Sequence, residues 1–303
     1  MSDTTSKRPR LEKKIDAELW ELAALARKRR NRIREEIKNL DRLSVPSSED
    51  GVPFANAVLQ LSNPAFHIKL PFPFVGFRVP ERFQIDDEDD QHNWFYVGRE
   101  KFSEFTDKFR KVRRDIRRSH LILYGTRGYG KSHILAAFVC YLAAGEGRFV
   151  YIPDCREFFT APVLYMKAAM LFAWGDDESE QQNIMTLDTL QEIYKFFQAH
   201  PDVVLVIDQL NTLEKTRRDD EATVNKKAEV RHWLHSLRAS YKAKAILSSS
   251  ANNNSILDGA SKQSSGEIMY VYGGLTRVSP RRNNQFGTLL TNGLEGNEPL
   301  VEA

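Results

Sequence analysis

The sequence predicts an α/β fold: a mainly parallel five-stranded sheet, preceded by a long basic N-terminal helix. Three observations predict it. Five short apolar runs, at 121–124, 149–152, 203–207, 245–248 and 268–272, alternate with helical stretches. The first three are apolar without interruption, as strands buried on both faces are, and alternation with helices implies right-handed crossovers and a sheet covered on both sides. A glycine-rich octapeptide stands between the first of these runs and the helix after it.

The chain has 303 residues, room for one large domain and an appendage. Residues 11–43 read as one helix free of glycine and proline. Ile15, Leu19, Leu22, Ala26, Arg29, Ile33, Glu36, Leu40 and Leu43 follow a 4-3 spacing, a seam with polar breaks at Arg29 and Glu36 through which the helix docks or self-associates. Its cations gather at Arg27-Lys28-Arg29-Arg30-Asn31-Arg32, with Lys7-Arg8-Pro9-Arg10 before it. They read either as a solvated charged face or as a nuclear-import or nucleic-acid patch. Residues 1–45 hold 13 Lys+Arg against 8 Asp+Glu, a balance of +5; the other 258 hold 31 against 33, a balance of −2. The division excludes a uniformly cationic protein and assigns the basic excess to an N-terminal arm, the expected contact for nucleic acid or a protein partner.

Residues 46–95 form a joint. Pro46, Pro53, Pro64, Pro71, Pro73 and Pro80 interrupt every period, while Phe72, Phe74, Phe77 and Phe83 predict packing against the next domain. The acidic run 86–90 reads as solvated. Trp94-Phe95-Tyr96-Val97 leads into a Lys/Arg-rich helix at 101–118. The expected nucleotide-binding unit spans 96–282, with helices from Lys131 and over 156–174, 184–199 and 224–242, and 283–303 is a Gly/Asn-rich tail. Two cysteines, Cys140 and Cys155, lack disulfide-scaffold and metal-site spacing and read as packed thiols in a reducing interior. No apolar run approaches the roughly 20 residues of a membrane span, and no apolar leader opens the chain. The expectation is an intracellular protein with no membrane contact.

The octapeptide is Gly125-Thr126-Arg127-Gly128-Tyr129-Gly130-Lys131-Ser132, which fits G-x-x-x-x-G-K-[ST] with a strand before it and a helix after. Glycines let consecutive N–H groups curl around a phosphate, and the helix presents its positive end. Lys131 reaches the terminal phosphates, and the Ser132 hydroxyl joins a Mg2+ shell. Such a loop needs an acid at the end of a buried strand to hold the same metal, and Val203-Val204-Leu205-Val206-Ile207-Asp208 supplies it. ATPases with an added catalytic strand commonly follow this Asp with Glu; here the residue is Gln209. An amide orients water but does not deprotonate it, so binding with slow or conditional hydrolysis is expected. Multistrand ATPases use a polar residue at the end of such a run to contact the γ-phosphate or the water, so Ser249 or Ser250 reads either as that residue or as a plain strand end. Arg277, Arg281 and Arg282 are candidates for a transition-state cation.

These segments carry a resemblance. Together with Tyr151-Ile152-Pro153-Asp154-Cys155-Arg156, Val206-Ile207-Asp208-Gln209-Leu210-Asn211 and Tyr272-Gly273-Gly274-Leu275-Thr276, the loop resembles the P-loop NTPase domain of Crinkler-type proteins, related to retrotransposon hot spot proteins, over about 95–280. The resemblance implies ATP as the nucleotide, the sheet order of added-strand ATPases, and an effector-like role in a nucleus. The start departs from that group's ubiquitin-like header, and little chain follows the last strand for a separate effector domain. The expectation is therefore an ATP-binding switch or slow ATPase using Mg2+. The competing expectation is a nuclear DNA- or partner-binding protein whose nucleotide site is mainly structural.

Overall fold

The computed structural model describes residues 8–42, 54–83, 85–86, 92–145, 147–240, 244–250 and 266–272. Leu43, Arg277, Arg281, Arg282, the acidic run beyond Asp86, the Gly273–Thr276 segment and the 283–303 tail lie outside these residues.

The large sheet contains β4 (His120–Gly125), β5 (Phe149–Ile152), β6 (Val204–Ile207), β7 (Ala245–Ser250) and β8 (Gly266–Tyr270). Its order is β5-β6-β7-β4-β8, and every pairing is parallel. β7 is therefore inserted between the strand that leads into the glycine-rich loop and the strand that ends at Asp208. That is the order the resemblance implied. The apolar runs of β4, β5 and β6 are buried along their whole length, as burial on both faces requires.

The helices differ from expectation in detail. α3 (Lys101–Arg114), α4 (Lys131–Ala144) and α9 (Glu221–Ser240) occupy the predicted places. The stretch read as one helix over 156–174 is α5 (Cys155–Phe158) and α6 (Pro162–Ala173), because Pro162 starts a new helix where its missing N–H costs nothing. The 184–199 stretch is likewise α7 (Glu178–Met185) and α8 (Leu190–Ala199). Thr189 opens α8 with a capping box, its hydroxyl on the Glu192 N–H and the Glu192 carboxylate on the Thr189 N–H.

The joint carries structure that the prolines hid. α2 (Ala55–Ser62) precedes an antiparallel three-stranded sheet of β1 (His67–Pro71), β2 (Ile85–Asp86) and β3 (Asn93–Val97), ordered β1-β3-β2. The strands are too short and too far apart in sequence to leave a period. The phenylalanines behave as predicted. Phe72, Phe74 and Phe83 are buried, with Phe74 and Phe77 on Tyr165 of α6 and Phe83 on Trp94 and on His133 of α4.

The N-terminal helix is α1 (Arg8–Arg42), and its seam needs correcting. The buried positions are Leu19, Ala23, Ala26, Arg29, Arg30, Ile33, Ile37 and Leu40; Arg29 apart, they form a 4-3 repeat that shares alternate members with the predicted one. Arg29, expected as a polar break, is buried beside Arg30, whereas the break expected at Glu36 gives way to Ile37 as the buried member. This face packs on α4, α6 and α2 of its own chain, so the stripe expected to self-associate is already filled. The basic cluster is corrected with it. Arg29 donates to the Phe74 carbonyl at 2.6 Å, and Arg30 donates to the Ala173 carbonyl at 2.9 Å and faces Asp176 at 3.6 Å. Arg27 reaches Glu178 and Gln181. Two of its five cations, Arg29 and Arg30, are thus buried within the fold, while Arg27 stays partly exposed in its ion pair. Among the described residues, no helix is long and apolar enough to cross a membrane.

Candidate functional site

The site lies at the C-terminal edge of the large sheet. β4 ends at Gly125, where an added Cβ would lie 2.2 Å from the Val271 carbonyl oxygen, so the loop must start at a residue without a side chain. Gly128 and Gly130 have φ of +90° and +81°, the left-handed region that glycine alone enters freely. Gly130 caps α4, whose first turn begins at Lys131 and Ser132. The first N–H groups of a helix have no partner within it, so this turn faces the loop with a positive end. Arg127 and Gly128 are exposed, and Thr126, Tyr129 and Ser132 are half-buried.

Lys131 is nearly buried and folds back over the loop, its ammonium donating to the carbonyls of Gly125 at 2.6 Å and Thr126 at 2.7 Å. Burial lowers its pKa, and the charge of Asp208 acts against that lowering. Asp208 follows β6, is 1 % exposed, and accepts from the Gln209 N–H at 2.9 Å. Gln209 has φ of +57°, uncommon for a residue with a side chain, and its carbonyl accepts from the N–H and hydroxyl of Thr212 at the start of the 3-10 turn Leu210–Leu213. β7 lies between the two strands and brings Ser249 beside Tyr124 and Ser250 beside Gly125. Lys131, Ser132 and Asp208 are thus brought to one edge, with Gln209 beside Asp208 and β7 between them.

Two groups at this edge carry no local sequence signal. Arg82, from the joint, places one guanidinium nitrogen 3.2 Å from Asp208 Oδ2 and another 3.4 Å from Asp154 Oδ2. Arg99, just before α3, packs its guanidinium where a Cβ on Gly130 would stand, 2.4 Å from Nη1. Asp154 caps α5 and is also held by Arg156 at 2.8 Å. Burial alone would raise the Asp154 carboxyl, but hydrogen bonds from Arg156 and the charges of Arg156 and Arg82 outweigh it and hold the pKa below its usual value. Burial, with Arg99 and Arg82 nearby, pushes His133 down to about 3, so this histidine is neutral. Burial raises the thiols Cys140 and Cys155. Neither helps as a nucleophile.

These residues fit a nucleotide and its metal on the structure's own terms. An added Cβ on Gly128 meets nothing within 4 Å, so the loop opens onto free space. Thr126 Oγ1 and Ser249 Oγ are buried at the edge without hydrogen-bond partners. Buried polar atoms left without partners are costly, and a ligand with oxygen atoms would satisfy them. The residues here that could hold a metal, Ser132 and Asp208, offer oxygen atoms, the kind a hard cation takes. Among the described residues no cluster of His, Cys, Asp and Glu forms a separate metal site.

Comparison with solved structures gives distant likenesses. A DNA replication initiation factor has 17% identity and a TM-score of 0.32, with 55% of this chain and 45% of that one covered. DnaA from Aquifex aeolicus bound to AMPPCP has 15% identity and a TM-score of 0.34 over 56% and 45%. Domain III of Thermotoga maritima DnaA has 19% identity and a TM-score of 0.35 over 59% and 65%. The chain spans less than two thirds of the length of each. No curated protein matches it. Residues 119–279, more than half of the chain, match the NACHT domain. That stretch runs from β4 and its phosphate-type loop through the Asp208 strand to β8, and by it the chain belongs to the NACHT-domain family of nucleotide-binding P-loop NTPases.

Proposed function

We propose that this protein is an ATP-binding switch with slow, conditional hydrolysis, similar in role to the NTPase modules of Crinkler-type proteins. One observation carries the reading: β7 is inserted between β4 and β6, so the 125–132 loop, Ser249 and Asp208 share one sheet edge. Gly125, Thr126, Arg127, Gly128, Tyr129 and Gly130 wrap the phosphates with backbone N–H groups, and Lys131 leaves its loop carbonyls for the terminal phosphates. Ser132 and Asp208 are the residues that hold Mg2+. When bound there, the metal would supply positive charge against the phosphates.

Gln209 positions water through its side-chain amide while its backbone is anchored by Thr212. It has no carboxylate to accept a proton. That is the reason for slow turnover. ATP rather than GTP rests on the resemblance alone.

The test is a binding titration joined to single-turnover hydrolysis. Lys131→Ala should weaken Mg·ATP binding at least tenfold, on the order of a charge-assisted hydrogen bond. Gln209→Glu should speed a single turnover of ATP while leaving binding within about twofold. Equal affinity in Lys131→Ala and the unmodified protein sinks the reading, and an unchanged Gln209→Glu rate removes Gln209 as the brake.

A further inference from the structure

Arg82 precedes Asp208 by 126 residues, yet its guanidinium lies against that carboxylate. One nitrogen, Nη2, lies 3.2 Å from Asp208 Oδ2 and also donates to the Pro153 carbonyl, while Nη1 lies 3.4 Å from Asp154 Oδ2. The group is held from behind: it sits over the Phe83 ring at 5.2 Å, and Phe83 packs on Phe72 and Trp94. The side chain is 20% exposed. Its two acids are not equivalent. Asp154 keeps a second cation, Arg156, within 2.8 Å, whereas the other hydrogen bond to the Asp208 carboxylate comes from the Gln209 N–H.

A buried carboxylate needs a counter-charge, because desolvation without one is expensive. Arg82 supplies the hydrogen-bonded one for Asp208, and the Lys131 ammonium adds its charge from the loop. A guanidinium and a divalent cation ask for the same oxygen lone pairs, and their like charges repel at contact distance. Both cannot hold that oxygen at once.

We propose that Arg82 is the resident counter-ion of Asp208 and leaves it when Mg·nucleotide binds, loosening the 72–83 segment from the ends of β5 and β6. Nucleotide state is then read out by the segment before β4 as well as by the loop after it. Arg82 sets how much Mg2+ the site requires. The inference rests on the reading of Asp208 as a magnesium ligand.

The experiment measures binding of a fluorescent ATP analogue to the full chain across a Mg2+ series and in EDTA. Arg82→Gln should lower the half-saturating Mg2+ concentration roughly tenfold, within the usual range of coupling between linked sites. Its affinity in EDTA should stay within about twofold of the unmodified protein. In an Asp208→Asn background the same change should shift nothing. On the unmodified chain, Mg·nucleotide should speed tryptic cleavage after Arg82, and nucleotide in EDTA should not. That second readout holds if Arg82→Gln fails to fold. An unchanged or raised Mg2+ requirement overturns the proposal, as does a loss of EDTA affinity, which would make Arg82 a phosphate ligand. Cleavage indifferent to Mg·nucleotide overturns it too. If Lys131→Ala also binds like the unmodified protein, the nucleotide reading itself fails; if only the Arg82 arms are flat, this inference fails alone.

Discussion

At the scale of single residues, the loop glycines are required for different reasons. Gly128 has φ of +90° with open space around it, so a side chain there meets only the backbone cost of the left-handed region. Gly125 meets the Val271 carbonyl oxygen at 2.2 Å, a contact with main chain that no rotamer relieves. Gly128→Ala should therefore cost about 1 kcal/mol. Gly125→Ala should cost about 3 kcal/mol, the upper end for overpacking, because the end of β8 must move from β4. Urea unfolding of both variants checks the difference, and equal losses would contradict it.

At the scale of elements, α1 is held by a stripe whose middle member is an arginine. Arg30 is fully buried; burial, only partly offset by Asp176, lowers its pKa to about 10. Its guanidinium serves Ala173 and Asp176, and Asp176 also pairs with Arg34 and Arg148. Arg30→Ala should cost about 3 kcal/mol through the cavity and the lost hydrogen bond. Arg30→Met, which refills the volume without a charge, should stay within about 1 kcal/mol of the unmodified protein. Lys28→Ala, on the exposed side of the same cluster, should change stability by no more than about 0.5 kcal/mol. Thermal and urea unfolding of the three variants decide whether the cluster is structural. The cluster misled the sequence reading because charge alone does not say which arginines find an internal carbonyl.

At the scale of the whole molecule, the sheet order pairs β4 with β8, the first and last described strands of the NACHT match, and buries His120 at the base of β4. Burial, with Arg238 adding to it, pushes this imidazole down to about 4, so it is neutral in the folded protein. The folded pKa lies below the unfolded value, so the stability is fully present above pH 6.5. It is lost as pH falls towards 4, because the unfolded chain takes up the proton first. Because the unfolded imidazole is half protonated at pH 6.5, the further loss down to pH 5 is about 1.5 kcal/mol. Unfolding free energies across that window should fall more steeply for the unmodified protein than for His120→Gln. Parallel slopes would show that His120 contributes nothing.

The sequence by itself determined the strands of the large sheet, the loop from Gly125 to Ser132 and the acid at Asp208. Each is written in residues adjacent along the chain: an uninterrupted apolar run, glycines at a fixed spacing, a carboxylate closing a strand. Only the tertiary structure decided that the antiparallel strands of the joint exist, that α1 turns Arg30 inward, and that Arg82 meets Asp208. Those facts depend on pairings between segments far apart in sequence, where burial and counter-charge select the partner and no local period records the choice. The charge of +3 divides the same way: an arm of +5 can be counted from the residues, but Arg29 and Arg30 are bound within the fold, and only the packing shows it.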